Sequence, residues 1–112
     1  NRYNKKHPVF LFGASNYGER IYQELEKKEM KEMKEMKEMK VNSFIDNKKD
    51  KYLNMIRDLN TIALDDIIQE RDFANILITS SYKKEILNQL VDAGFKNIYY
   101  FTEKIFLIMD TW

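Results

Sequence analysis

The chain has 112 residues, enough for one domain with a single core, and its 19 basic and 18 acidic residues leave a formal charge of +1. That balance supplies no broad electrostatic attraction to nucleic acid or to an anionic membrane surface. With no cysteine, disulfide staples and thiol catalysis are excluded, and no apolar run approaches the length of a membrane span.

The chain opens at Asn1 rather than Met and closes on the apolar run Ile105-Phe106-Leu107-Ile108-Met109 and Trp112. With no signal-peptide pattern, it reads as a piece of a longer cytoplasmic protein. Pro8 to Phe12 predicts a first strand. It runs straight into Gly13-Ala14-Ser15-Asn16-Tyr17-Gly18, followed by the helical spacing of Ile21, Tyr22 and Leu25. A strand, a glycine-bearing turn and a helix in that order form the phosphate-binding corner of a Rossmann-type βαβ unit. Gly13 would permit the tight turn, and Gly18 would let helix and strand approach closely. The unpaired N–H groups at the helix start would face a phosphate. Ser15 stands where G-x-G-x-x-G has its middle glycine, which leaves a pyrophosphate less room.

The first helix starts near Asn16 and finds no breaker before Lys40. Glu29 to Lys40 is four copies of Glu-Met-Lys, and at a three-residue period each Met steps back roughly 60° around the helix from the last. The tract reads as a solvated, locally expanded helix end overhanging the sheet. The competing reading is a partner-binding handle, with a homodimer formed through Met30, Met33, Met36 and Met39. It also reads as an insertion. Asp46 lies 28 residues beyond Gly18, and without three of the four triplets the separation would be 19, near the ~20 at which an acidic residue meets the ribose in dinucleotide-binding units.

Val41 to Asp46 predicts a second strand ending on a carboxylate, and Asn47 to Asn60 a polar loop. Thr61 to Ala63 predicts a brief third strand, Leu64 to Glu70 a short helix, and Ala74 to Thr79 a buried strand. Ser80 or Ser81 would cap the helix Tyr82 to Ala93, with Ile86, Leu87, Leu90 and Val91 as its apolar stripe and Gly94 as its left-handed stop. Asn97 to Phe101 predicts the last strand, and Glu103 to Met109 a short terminal helix. The alternation predicts an α/β fold: a three-layer, Rossmann-like parallel sheet of four or five strands in the order 3-2-1-4-5. Residues 8 to 101 would form its core, with Phe10, Phe12, Phe44 and Phe101 packed inside.

Ligands of such sheets bind at the carboxyl ends of the strands beside strand one. That brings Gly13 to Gly18, Asp46 to Lys48 and Thr79 to Tyr82 around one crevice. Asp46 is read either as a hydroxyl acceptor or as a strand-end carboxylate turning the chain into Asn47-Lys48. Arg20 and Lys48 are candidate phosphate cations or plain surface charges. Ser80 and Ser81 are ligand contacts or, more simply, capping residues. His7 has no base or metal partner in the pattern, and Tyr100 and Lys104 match Tyr-x-x-x-Lys by chance, because Tyr100 belongs to a strand. No metal-ligand set and no nucleophile–histidine–acid set is present.

The segments 9–20, 43–47 and 75–81 resemble small Rossmann-like domains of bacterial glycan biosynthesis. They are similar to the N-terminal domain of bacillosamine-type sugar acetyltransferases and to the nucleotide-binding domain of polysaccharide-biosynthesis dehydratases and epimerases. The resemblance implies a non-catalytic module that binds a nucleotide or sugar nucleotide inside a larger sugar-modifying enzyme. NAD and CoA are the other cofactors it admits. By that resemblance Gly13, Ser15, Asn16, Tyr17, Gly18 and Asp46 would hold the nucleotide, with Asn47, Ser80 and Ser81 beside them. The alternatives are a scaffold that binds nothing and the NAD-binding half of an oxidoreductase.

Overall fold

Segments of two to five residues are too short to nucleate helices, and β-branched, aromatic and apolar side chains suit them to a pleated sheet. In the computed structural model, which describes residues 7–26, 40–52, 55–101 and 106–109, they become strands. These are β1 (Val9–Phe12), β2 (Val41–Ile45), β3 (Thr61–Ile62), β4 (Asn75–Ile78), β5 (Asn97–Phe101) and β6 (Phe106–Met109). Among the described residues they are joined by the α-helices α1 (Asn16–Glu26) and α2 (Lys83–Asp92), and Leu64–Glu70 forms a 3-10 helix between β3 and β4. The sheet order is β3-β2-β1-β4-β5-β6. The first five strands are parallel, in the expected order 3-2-1-4-5.

β6 corrects the expected terminal helix. It runs antiparallel to β5, with Phe101 opposite Phe106 and Ile98 opposite Met109. Extended, these four residues pair along an existing edge. As one helical turn they would bear the nucleation cost with almost no hydrogen bonds in return.

Alternation along the strands divides the core in two. Val9 and Leu11, with Leu77 and Tyr99, face α1, which buries Ile21, Tyr22 and Leu25 against them. Phe10 and Phe12, with Ile76, Ile78 and Ile98, face Ile86 and Leu90 of α2 and Leu64 and Ile67 of the 3-10 helix. Each large side chain so buried contributes roughly 1.5–3 kcal/mol, which makes strands this short sufficient. Of the expected core phenylalanines, Phe10, Phe12 and Phe44 are buried. Val91, expected on the apolar stripe of α2, is 41% exposed; the buried stripe is Ile86 and Leu90, with Leu87 half-buried.

β2 departs from simple alternation. Val9 pairs with Val41 but Phe10 pairs with Ser43, so Asn42 is an extra residue in the ladder. This bulge puts Val41 and Phe44, three apart, on the same α1 face. Asn42 Oδ1 accepts the Val9 N–H at 3.2 Å and fills the gap in the hydrogen bonding.

Gly94 ends α2 at φ +90°. The Gly94 N–H bonds Val91 O and the Phe95 N–H bonds Leu90 O, the paired closure of a left-handed helix stop. Lys40, where the first helix was expected to end, is not helical. The Glu-Met-Lys tract before it, with Met30, Met33, Met36 and Met39, lies outside the described residues, as does Lys104.

Candidate functional site

Three hydrogen bonds hold the turn after β1. The Gly13 N–H bonds Ile45 O of β2 and the Thr79 N–H bonds Phe12 O, so the turn sits between the ends of both neighbouring strands. The buried Thr79 hydroxyl donates to Gly13 O at 3.1 Å. Gly13 has φ +134°, and a Cβ there would stand 2.7 Å from Thr79 O. A Cβ on Gly18 would overlap Gly13 O and press on Phe44 Cε1 at 3.3 Å. Both glycines are therefore dictated by backbone approaching backbone. The helix's hydrogen bonding begins with Glu19 N–H to Ser15 O at 2.9 Å, so the amides of Asn16, Tyr17 and Gly18 precede it, as at any helix start.

Asp46 follows β2 directly. Its Oδ2 accepts the Ala14 N–H and its Oδ1 accepts the Lys48 N–H, both at 2.9 Å. The carboxylate thus turns the chain, as one of its two sequence readings held, and also ties β2 to the glycine turn. Each oxygen keeps a lone pair for a further donor. Tyr52 Oη donates to Asp46 O at 3.0 Å and fixes the loop that follows.

A cavity of about 440 Å³ opens at the carboxyl ends of β1, β2 and β4. Gly13, Ser15 and Tyr17 line it from the first turn, Asp46 and Asn47 from the second, and Ser80 and Ser81 from the third. The three segments expected to converge do so. Gly18 is buried beneath the turn, and Asn16 faces a second cavity of about 290 Å³ instead, between the start of α1 and β3. Ser15 and Lys51 border both cavities.

Lys48 lines the main cavity, whereas Arg20 lines neither. Neither serine caps α2. Tyr82 occupies the cap position with no side-chain hydrogen bond, and Ser80 Oγ accepts the Tyr82 N–H at 3.1 Å, closing a local turn. His7 meets the Phe73 ring at a tilt of 55°, with ring centroids 5.5 Å apart, away from the cavity. The Tyr100 ring lies under Lys83 Nζ, 5.1 Å from its centroid. Among the described residues, no three histidine, cysteine or carboxylate side chains are placed to hold a metal ion, and no helix is long and apolar enough to cross a membrane.

Sequence reasoning placed Tyr82 at the crevice but passed over Lys51, Glu85, Ile86 and Gln89, all of which line the cavity. Three of them had a readable signal: 85, 86 and 89 continue from Tyr82 with the spacing of a single helix face. Lys51, on a 3-10 turn (Lys49–Lys51), had none.

Residues 5–99 match the family model C2185-like, N-terminal. No curated protein shows significant similarity to the chain. Among solved structures, the chain is similar to RSP in complex with β-NADH (TM-score 0.58, 16% identity, 94% of this chain and 50% of that one). It is also similar to a structure of RSP described as a Rex-family repressor (TM-score 0.58, 17% identity, 94% of this chain and 49% of that one). At such identities the likeness is one of Rossmann-like fold, and the chain spans about half the length of these structures. By the family match, the chain belongs to the C2185-like, N-terminal family.

Proposed function

We propose that this member of the C2185-like, N-terminal family is a nucleotide-binding module with no turnover of its own. Phosphates would dock on the amides of Ser15 to Gly18 at the start of α1, with the remainder of the ligand in the main cavity. The observation that carries the reading is that cavity: about 440 Å³, at the carboxyl ends of β1, β2 and β4, and bordered by that helix start. Lys48 and Lys51 supply positive charge on its wall, and Asp46 has lone pairs free for ribose hydroxyls. Among the described residues no nucleophile, base and orienting acid come together there, and the module is read as one that binds.

A dinucleotide of the NAD type is the first ligand to try, because a protein of similar fold has been solved with β-NADH. The narrower assignment to surface-glycan biosynthesis, with a nucleotide sugar as ligand, rests on the sequence resemblance alone. The competing reading, a scaffold that binds nothing, has one observation in its favour: Asp46 already takes the Ala14 N–H that a phosphate would seek. Calorimetric titration with NADH, NAD⁺, a UDP-sugar and CoA separates these readings. Saturable binding of one of them, with no chemical change in the ligand, is expected. Heat of dilution alone for all four would favour the scaffold.

A further inference from the structure

Asn47 and Gln89 form a closed amide pair in the cavity wall. Asn47 Nδ2 donates to Gln89 Oε1 at 2.9 Å, and Gln89 Nε2 donates to Asn47 Oδ1 at 3.0 Å. The pair joins the loop after β2 to the cavity face of α2, and both bonds are exposed. Exposed amides exchange one such bond for another with water at little net gain. α2 is anchored independently by Ile86 and Leu90. Stability therefore gives little reason for the arrangement.

Its chemistry gives a better one. Each amide presents one donor and one acceptor side by side to the other. The same pattern is completed by a primary carboxamide or by the amino group and neighbouring ring nitrogen of adenine, the edge that Asn and Gln grip with two bonds. Two exposed aromatic rings, Tyr17 (38% exposed) and Tyr82 (67% exposed), line the same cavity and offer faces on which a flat ring can stack.

We infer that Asn47 and Gln89 are a base-edge reader, satisfying one another when the cavity is empty and exchanging a partner for the donor–acceptor edge of a bound nucleotide. The inference rests on the nucleotide reading above and deepens it by naming the ligand group that is recognised. An adenine and a carboxamide carry this chemistry equally, and the test tells them apart.

The full chain and its Gln89→Leu and Asn47→Leu variants are titrated with three probes. ADP-ribose carries the adenine edge alone, nicotinamide mononucleotide the carboxamide alone, and inorganic pyrophosphate neither. Both side chains lie at the surface, and unfolding curves establish that each variant is folded. Both variants are expected to lose about tenfold in affinity for the probe whose edge is read, the order of a two-bond amide contact. Pyrophosphate affinity should not change. Whichever nucleotide weakens identifies the source of the edge. Variants that bind both nucleotides as the parent does would overturn the reader and leave the nucleotide reading standing. So would variants that bind all three probes more tightly, since the pair would then be only a barrier. A parent chain that binds none of the probes would remove both.

Discussion

Asp46 Oδ2 receives the Ala14 N–H at 2.9 Å, so the carboxylate that follows β2 also pins the turn after β1. Ala14 is only 3% exposed, and without Asp46 its N–H would lose its protein acceptor. One side chain couples the two segments that the site depends on.

Asp46→Ala should therefore cost about 2 kcal/mol of folding free energy, the scale of a charge-assisted bond whose donor is left unsatisfied. Asp46→Asn, which retains an acceptor oxygen, should cost less. Urea unfolding of the parent and both variants measures the difference. Equal midpoints for all three would mean that the contact contributes nothing.

Gly18→Ala should be worse. The new Cβ would overlap Gly13 O, and neither backbone can retreat without breaking the β1–β2 and β1–β4 hydrogen bonds around the turn. A loss of more than roughly 3 kcal/mol, or failure to fold, is expected, the upper end for overpacking. Circular dichroism and urea unfolding report it, and a variant as stable as the parent would contradict the packing described.

The glycine turn was legible because its cause is local: strand, glycine and helix follow one another, and Gly13 and Gly18 leave few other arrangements. The strand order followed from right-handed crossovers. What escaped lies between distant segments or at chain positions with ambiguous patterns. The Asn42 bulge arises from pairing against β1, 33 residues away, so nothing near Asn42 marks it. Phe106–Met109 is apolar throughout, and four such residues suit a strand or a helical turn until a free β5 edge decides. The Asn47–Gln89 pair spans 42 residues, and only the folded sheet brings the two together.

Thr61 shows the opposite error of fit. It is 3% exposed, and among the described residues its Oγ1 has no hydrogen-bond partner. Thr61→Val keeps the shape and removes the unsatisfied hydroxyl, and it should raise stability by about 1 kcal/mol. A lower unfolding midpoint would show that the hydroxyl has a partner, such as an ordered water, that the side chain needs.

Ser15, exposed at the middle-glycine position, borders both cavities. Ser15→Gly should preserve or tighten binding of a phosphate-bearing nucleotide, and Ser15→Val should weaken it by roughly tenfold by crowding the helix start. Titration of the two variants with the same ligand tests this. No difference between them would place the phosphates elsewhere.

In the proposed complex a nucleotide occupies the carboxyl-end crevice with its phosphates at the start of α1. Amide chemical shifts followed by nuclear magnetic resonance during titration with NADH test it most directly. Saturable shifts confined to Ser15–Gly18, Asn47–Lys51 and Ser80–Gln89 are expected. Shifts clustered on the β6 edge of the sheet, or none at any NADH concentration, would contradict it.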